Sequence, residues 1–353
     1  MDNELNIFLN SLPNVQGKKI YVFGTGNTAQ LYQEGFKRLA NFNIEGYLNN
    51  NAVTGQIFAG KSVCKPGEIV AKENVCVLIC SPQPSVYSEV GRQLTELGIE
   101  WHHIDAAIWG MNKEKVVAAY ESFDDEDSRE LYFKLLKCRI SCELPSADMI
   151  TRPQYFCLPQ FMMRDAGEVF IDCGAFVGDS VERYIWEHDG IFKKIIAFEP
   201  DTINFKAMQK RVERLNEEWN LKKKQVDIYP FAVGAEDTIS YVNRLENNNG
   251  LGSSVSDKEA DGADKVETIS LDSFFNEQYT FLKADIESYE YKLLLGAKKS
   301  IKKWQPKIAI CIYHNAIDFY SIPLLLKEIN PNYKFKLYHH APAHDDTVLY
   351  AYI

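Results

Sequence analysis

One segment of this 353-residue chain, EVFIDCGAFVGDSVERYI at residues 168–185, constrains its fold most strongly. The run Val169–Asp172 is apolar and rich in β-branched residues up to its last position, which is typical of a buried strand. Gly174 and Gly178 predict a sharp turn whose backbone can come close to a ligand, and Asp179 opens a helix. The segment therefore predicts a strand, a glycine-rich turn and a helix, which together form half of a nucleotide site.

A second apolar run, Ile195–Phe198, ends in Glu199, about 27 residues after Asp172. At this distance a doubly wound sheet places a carboxylate beside the ribose of a bound nucleoside, where it can accept two hydrogen bonds from the cis diol. Three residues separate Gly174 from Gly178, so the turn does not match the dinucleotide fingerprint G-x-G-x-x-G. The sequence therefore favours a nucleoside without a pyrophosphate, and S-adenosylmethionine fits this description.

The composition restricts the class of protein and of partner. With 46% apolar and 25% charged residues, the chain is long enough for two domains that each bury a core. Its formal net charge of −10 argues against a nucleic-acid partner, which ordinarily requires a basic surface. Residues 1–15 lack both a basic start and an unbroken apolar core, and no stretch reaches the roughly 18 apolar residues of a spanning helix. We therefore expect a cytoplasmic protein without a membrane span.

Neither the cysteines nor the histidines predict a metal site. The eight cysteines are scattered without paired C-x-x-C spacing, which indicates reduced and mostly buried thiols. His339, His340 and His344 are close in sequence, but consecutive residues of a strand point to opposite faces. We therefore expect no metal at these histidines.

The order of predicted elements divides the chain into three parts. Strands alternate with helical segments over residues 1–110, which predicts a small parallel α/β domain of the Rossmann type. Residues 111–150 are charged, helix-forming and almost free of glycine and proline, which predicts a helical connector. Residues 151–353 form a second and larger α/β domain, with a strand near 226–233 and a polar surface loop at 247–265.

The N-terminal domain has a glycine-rich turn of its own. The segment Gly24–Ala29 matches G-x-G-x-x-A, but the second strand ends at Leu48-Asn49-Asn50, where a ribose-binding carboxylate should stand. An NAD(P)-dependent sugar-nucleotide oxidoreductase that uses this domain is therefore an alternative that Asn49 argues against. The domain looks like the small nucleotide-binding-like domains attached to enzymes of bacterial sugar and glycan assembly, which favours a structural or substrate-presenting role.

The C-terminal part resembles the FkbM-type S-adenosylmethionine-dependent methyltransferases over residues 154–353. Each sequence block is a weak signal alone, but their order and spacing together are specific. The blocks are, in order, Asp172–Asp179, Ala197–Pro200 with Asn204 and Phe205, Ala232–Gly234, Gly252–Ser254, Thr268–Asp272, and Leu282–Glu287 leading to Gly296 and Ala297. Ser288 departs from the family, which usually has glycine after the Asp-x-Glu of the last block, and this affects the turn that follows Glu287.

The resemblance implies a class I methyltransferase sheet, mostly parallel with a terminal antiparallel hairpin. It also implies that the first block lies against the methionine part of the cofactor and that Glu199 holds the ribose. The residues expected to contact S-adenosylmethionine are Asp172, Gly174, Ala175, Phe176, Gly178, Asp179, Glu199, Pro200, Ala232 and Asp285. An N-cap role for Glu199 is the alternative, but Asp201 and Thr202 already serve as cap.

Three residues are candidates for assisting the reaction itself. Asp285 and Glu287 follow an apolar strand, and alternate strand positions point to one side, so either carboxylate could orient or deprotonate a hydroxyl. The alternative is that they cap the next helix. His314 follows the strand KIAICIYH and is expected at the same rim as a general base, or as a ring that bonds a loop carbonyl.

These observations predict a two-domain enzyme that moves a methyl group from S-adenosylmethionine to an oxygen. The expected acceptor is a sugar hydroxyl of a glycan or glycan precursor, or another small-molecule hydroxyl. A non-catalytic module that binds the adenosyl group without an acceptor base is a further alternative.

Overall fold

A computed structural model describes residues 2–40, 42–70, 72–244, 253–257 and 262–353. The chain forms two units. Unit 1 comprises Met1–Ala147, Tyr313–Ser321 and Ala341–Asp345, and unit 2 comprises Asp148–Ile312, Ile322–His340 and Asp346–Ile353. No helix in the described ranges is long and apolar enough to cross a membrane.

Unit 1 alternates strands and helices up to His103 and is helical from there to Ser141. Its elements are α1 (Asp2–Ser11), β1 (Lys19–Phe23), α2 (Asn27–Phe36), β2 (Ile44–Leu48), β3 (Ile57–Phe58), β4 (Lys61–Cys64), β5 (Val75–Ile79), α3 (Pro84–Glu96), β6 (Glu100–His103), α4 (Ile104–Met111), α5 (Lys113–Glu121) and α6 (Glu126–Ser141). The helices α5 and α6, which cover most of the predicted connector, lie within this unit.

Among the described residues, the sheet of unit 1 has the strand order β3-β4-β2-β1-β5-β6. Its strands run parallel except β3, which pairs antiparallel with β4 at one edge. Strand β5 is buried at all five positions, as expected for a central strand covered on both faces. The predicted parallel α/β fold of the N-terminal part is thereby confirmed.

Unit 2 is built around a larger sheet. Its elements are β7 (Val169–Cys173), α7 (Asp179–Glu187), β8 (Lys194–Phe198), α8 (Thr202–Glu218), β9 (Val226–Tyr229), β10 (Ala232–Val233), β11 (Thr238–Asn243), β12 (Ser254–Ser256), β13 (Asp264–Ile269), α9 (Leu271–Phe274), β14 (Phe281–Ala284), α10 (Glu290–Gly296), α11 (Lys298–Trp304), β15 (Lys307–Cys311), α12 (Asp318–Ile329), β16 (Lys334–His339) and β17 (Thr347–Tyr352). The first residues of α12 belong to unit 1.

Within the described ranges, the larger sheet has the order β16-β17-β15-β14-β7-β8-β9. The strands from β15 to β9 run parallel, and β17 pairs antiparallel with both β15 and β16. The predicted mostly parallel sheet with a terminal antiparallel hairpin is thereby confirmed. The carboxyl ends of β7, β8 and β14 lie side by side, which places the candidate residues at one edge.

A second sheet, β10-β13-β11-β12, was not predicted. The strand expected near 226–233 is interrupted at Pro230, which has no N–H to donate, and only residues 226–229 pair with β8. Part of the loop expected at 247–265 is also strand, because β12 pairs with β11 and β13 begins at Asp264. Residues 245–252, with Gly252 of the fourth sequence block, and 258–261 lie outside the described residues.

A buried ion pair joins two central strands of unit 2. Asp172 of β7 lies beside Lys283 of β14, and the Lys283 Nζ is 2.9 Å from the Asp172 Oδ1. The same Nζ donates to the Gly174 carbonyl oxygen at 2.7 Å, and the Ser180 hydroxyl donates to the Asp172 carboxylate. Burial alone would lower the pKa of Lys283, but the charges of Asp172 and Asp285 and the hydrogen bond to Asp172 together outweigh it and raise that pKa. The lysine therefore stays charged and ties both strands to the turn after β7.

Replacing Lys283 by methionine should destabilise the protein by about 3–5 kcal/mol, because the Asp172 carboxylate would stay buried without its counter-ion. Urea unfolding curves measure the loss. The matched control is Lys194→Met, since Lys194 pairs with Asp227 at 2.8 Å where both side chains are partly exposed. That variant should lose less than about 1 kcal/mol. Equal losses in the two variants would contradict the role given to the buried pair.

Candidate functional site

The turn after β7 is fixed by contacts within the protein. The backbone N–H groups of Gly174 and Ala175 both donate to the carbonyl oxygen of Phe198, each at 3.0 Å. Gly174 has a φ of 78°, and a Cβ there would lie 1.9 Å from the carbonyl oxygen of Asp285. A side chain would therefore collide with the backbone, so the packing of the protein itself requires this glycine, apart from any room it leaves for a ligand.

Helix α7 begins directly after this turn. Gly178 is the N-cap residue with a φ of 80°, and its N–H donates to the Ala175 carbonyl oxygen at 2.7 Å. Asp179 is the first residue of the helix and is exposed. A carboxylate at this position already complements the positive end of the helix dipole. The turn is therefore poorly suited to a phosphate, in agreement with the missing pyrophosphate fingerprint.

Glu199 stands at the end of β8 and is held from two sides. Its Oε2 accepts the N–H of Phe176 at 2.9 Å, and its Oε1 accepts the N–H of Asp201 at 2.9 Å. The Asn204 side chain also hydrogen-bonds to the carboxylate. These contacts occupy three of about four acceptor positions of a carboxylate, which leaves capacity for one further donor.

The environment of Glu199 changes its ionisation. Burial raises the pKa of this carboxyl from 4.5 to about 7, and the hydrogen bonds from Asp201 and Phe176 oppose the shift without cancelling it. Because the folded-state pKa is raised, the group's contribution to stability is fully present below pH 4.5 and is lost as the pH rises through about 7. A ligand that binds the ionised form pulls the pKa back down.

Asp201 is also buried, but unlike Glu199 it has a cation, Arg244, as a partner. It is the N-cap residue of α8, as expected, and its Oδ1 accepts the N–H groups of Ile203 at 2.8 Å and Asn204 at 3.2 Å. Its Oδ2 accepts from the Arg244 Nε at 2.6 Å and the Ser253 hydroxyl at 3.0 Å. Burial alone would raise the pKa of Asp201, but the hydrogen bonds from Arg244, from the N–H groups of Asn204 and Ile203, and from Ser253 together outweigh it, and the pKa is lowered. Asp201 therefore stays ionised and anchors the loop that holds Glu199.

Asp285 follows β14 directly and is oriented by an aromatic residue. Its N–H donates to the Cys173 carbonyl oxygen at 3.1 Å, and its Oδ2 accepts the Tyr155 hydroxyl at 2.7 Å. Tyr155 is buried, and its ring lies 5.1 Å from the Lys283 Nζ. The carboxylate of Asp285 is therefore fixed at the edge of the sheet where the glycine-rich turn also lies.

The geometry expected for Glu287 was wrong. Strand β14 ends at Ala284, so Asp285 and Glu287 are not alternate residues of a strand. Glu287 and Ser288 have φ values of 53° and 77°, which are left-handed conformations. Ser288 thus takes a conformation that glycine adopts without strain, at the position where the resembled family usually has glycine. Glu287 therefore lies on the turn that follows β14, and its side chain is partly buried.

The remaining predicted residues are less closely tied to this site. Pro200 joins Glu199 to the N-cap of α8. Ala232 lies in β10, where its side chain packs with Val242 and Val266 in an apolar cluster of the second sheet. Its role in cofactor binding stays a prediction.

His314 lies in the segment Tyr313–Ser321 of unit 1, whereas Asp285 and Glu287 belong to unit 2. Its side chain is buried, and its ring centroid is 4.1 Å from that of Tyr313. A joint catalytic role of these three residues stays a prediction.

The histidines near the end of the chain bond to groups of the protein. His339 Nδ1 lies 2.9 Å from the Thr347 hydroxyl, and His340 Nδ1 lies 2.5 Å from the Thr151 carbonyl oxygen. Burial lowers the pKa of His340 to about 4. His344 belongs to unit 1 and not to the unit of the other two.

The structure brings five of the predicted residues into one connected group: Asp172, Gly174, Phe176, Glu199 and Asp285. Two further members, Lys283 and Arg244, were missed. A lysine inside the apolar strand FLKA was a signal for the first, since a buried ammonium needs a counter-ion. Arg244 had no signal of this kind, because its partner Asp201 is 43 residues away in the chain.

Comparison with known proteins supports the fold. The crystal structure of Methyltransferase FkbM from Methylobacillus flagellatus KT is 19% identical, with a TM-score of 0.57 over 99% of this chain and 97% of that chain. At this identity the likeness shows the fold. An rRNA methylase from Streptococcus thermophilus (16% identity, 57% of this chain, 96% of that chain) and spermidine synthase from Thermotoga maritima (12%, 55% and 55%) reach TM-scores of only 0.33 and 0.32. No curated protein matches the sequence significantly.

Residues 172–337 match the sequence model of the Methyltransferase FkbM domain. The matched range includes the glycine-rich turn, Glu199 and Asp285, while residues 1–171 lie outside it. The resemblance seen in the sequence blocks is therefore confirmed for residues 172–337, which are similar to the Methyltransferase FkbM domain.

Proposed function

We propose that unit 2 binds S-adenosylmethionine and transfers its methyl group to an oxygen, namely a sugar hydroxyl of a glycan or glycan precursor. One observation carries the proposal within the methyltransferase domain. The buried Glu199 carboxylate, pinned by the N–H groups of Phe176 and Asp201, retains one acceptor position at the edge where β7 and β8 end. A ribose hydroxyl is a neutral donor that suits this position.

The residues present fit the proposed cofactor. The turn at Gly174–Gly178 would take the methionine part, and Glu199 would hold one ribose hydroxyl. When bound, S-adenosylmethionine supplies a methyl group on a strongly electrophilic sulfonium. The protein therefore needs chiefly to hold the acceptor oxygen in line with that carbon and to exclude competing water. A fixed turn and a fixed carboxylate serve positioning of this kind.

Asp285 is the residue we assign to the acceptor. Its carboxylate is oriented by the Tyr155 hydroxyl, so it can accept the proton of an acceptor hydroxyl or align that hydroxyl through a hydrogen bond. Glu287 and His314 are the other candidates for the base. Sugar hydroxyls fit the proposal because they are neutral donors that a carboxylate can both bind and deprotonate.

The Glu199→Gln variant should bind S-adenosylmethionine more weakly by about 1.5–3 kcal/mol at pH 8, because a hydrogen bond to a charged acceptor is lost. Calorimetric titration measures this change, with circular dichroism to show that the variant is folded. The control is Asp227→Asn, which removes a partly exposed carboxylate at β9. Unchanged affinity in Glu199→Gln would remove the ribose assignment.

The affinity of the parent protein for S-adenosylmethionine should rise with pH. With a pKa of about 7, the ionised fraction of Glu199 grows about tenfold between about pH 6 and pH 8, and the apparent affinity should follow it. The same titration in Glu199→Gln should be nearly independent of pH in this range. A parent protein whose affinity is flat from pH 6 to 8 would contradict the proposed role of the ionised carboxylate.

Methyl transfer should separate an enzyme from a binding module. Asp285→Asn should lower kcat by about 100-fold or more if Asp285 is the base, with cofactor affinity little changed. Tyr155→Phe removes only the orienting hydroxyl and should cause a smaller loss. Glycan extracts with a radiolabelled methyl donor provide the assay. If Asp285→Asn transfers methyl as fast as the parent, Asp285 is not the base and the assignment falls.

A further inference from the structure

Unit 1 has a small cleft of its own. Its lining includes Thr28 and Ser81, which follow β1 and β5, His103, which is the last residue of β6, and Arg139 of α6. In the strand order β3-β4-β2-β1-β5-β6, the chain changes direction between β1 and β5. Parallel sheets bind ligands at the carboxyl ends of the strands at such a switch point.

The helix that begins at this cleft has no acidic group at its start. The N-cap residue of α2 is Gly26, which has no side chain that could cap the helix. The first turn of α2 contains no acidic residue. The first-turn N–H groups around Thr28 therefore keep the partial positive charge of the helix end. A helix end of this kind is suited to an anion, although it does not by itself define a site.

His103 gives an independent reason to expect a ligand. Its side chain is only 6% exposed, and it lines the cleft. Its Nδ1 accepts the N–H of Asp105 at 3.2 Å, which places the proton of the neutral ring on Nε2. Burial lowers the pKa of His103, so the ring stays neutral. In the described part of the chain, the Nε2 has no hydrogen-bond partner, and it can therefore donate into the cleft.

Arg139 adds further donors. Its guanidinium binds Asp105 through Nε at 2.7 Å, the Tyr313 carbonyl oxygen through Nη1 at 2.9 Å, and the Tyr32 hydroxyl through Nη2 at 3.3 Å. A guanidinium has five N–H groups, and these three contacts leave two without a partner among the described residues. The Asp105 carboxylate, which also lines the cleft, accepts from Arg139 and Tyr32, and the Arg139 guanidinium balances its charge. The donors at the cleft therefore come from Arg139, His103 and the first turn of α2.

The second strand limits the size of the ligand. Asn49 stands where a dinucleotide-binding domain has its ribose carboxylate, and its side chain donates to the Thr25 hydroxyl and accepts the N–H of Asn51. It is therefore used within its own loop. This favours a ligand smaller than a dinucleotide.

We propose that this cleft binds a phosphate monoester of a sugar or nucleoside. The phosphate oxygens accept from the first turn of α2, from His103 Nε2 and from Arg139, which together match an acceptor-rich anion. The ester group extends out of the cleft, which is too small to enclose it. This site is separate from the proposed methyltransferase site and does not depend on it.

Calorimetric titration of the full chain with ribose 5-phosphate, uridine monophosphate and inorganic phosphate tests the proposal and distinguishes the two sources of the ester. At least one ester should bind with a Kd below about 1 mM, and inorganic phosphate should bind at least about tenfold more weakly. The proposal falls if neither ester binds, or if inorganic phosphate binds as tightly as the esters.

Two variants locate the binding. Thr28→Glu places a carboxylate in the first turn of α2, which is favourable for the helix, and should weaken ester binding more than tenfold. His103→Asn keeps an acceptor for the Asp105 N–H but removes the Nε2 donor, and should weaken binding about tenfold. The control is Ser85→Glu, the same type of change at the second residue of α3, which should leave the affinity within about twofold. Equal weakening in Thr28→Glu and Ser85→Glu, or none in Thr28→Glu, would overturn the proposal.

Discussion

The geometry of the candidate site in unit 2 depends on the buried ion pair between Asp172 and Lys283. The lysine holds the carboxylate of one strand and the Gly174 carbonyl oxygen of the following turn at the same time. The turn in turn presents the Phe176 N–H that fixes one oxygen of Glu199. The buried ammonium group of Lys283 thereby helps to fix the position of the Glu199 carboxylate, the proposed acceptor for the ribose. The desolvation of such a pair is offset only when its geometry and hydrogen bonds are good, so the turn has little freedom to move.

Two acidic residues separated by one position, Glu199 and Asp201, show how the protein divides structural from binding roles. Both are buried, but Asp201 has the cation of Arg244 beside it and keeps a lowered pKa. Glu199 is bound chiefly by neutral N–H groups and has a pKa raised to about 7. A carboxylate already paired with a cation would gain little from a sugar hydroxyl. Glu199 instead relieves its own desolvation when a neutral donor arrives, which favours binding there.

The structural features that could be predicted from the sequence are those that depend on residues close together in the chain. The strand ending at Asp172, the turn at Gly174 and Gly178, and the carboxylate at Glu199 all follow from local periodicity and turn chemistry. Contacts across long separations were not predictable: Lys283 meets Gly174 across 109 positions, and no local pattern specifies which strands become neighbours. The second sheet was missed for a related reason, since its strands are short and become strands only through pairing with each other.

The chain has two glycine-rich turns that look alike in sequence. They differ in the charge of the residues around them, beginning with the first residues of the helix that follows each one. In unit 2, α7 begins with Asp179, and Glu199 and Asp285 lie near the same turn, so the surroundings are acidic and would suit the cationic sulfonium of the proposed cofactor. In unit 1, α2 begins without an acidic residue, and His103 and Arg139 add donors. Glycine allows the bend and the close backbone packing, but it contributes no charge. The charge of the residues after the bend decides whether the turn favours a cation or a phosphate.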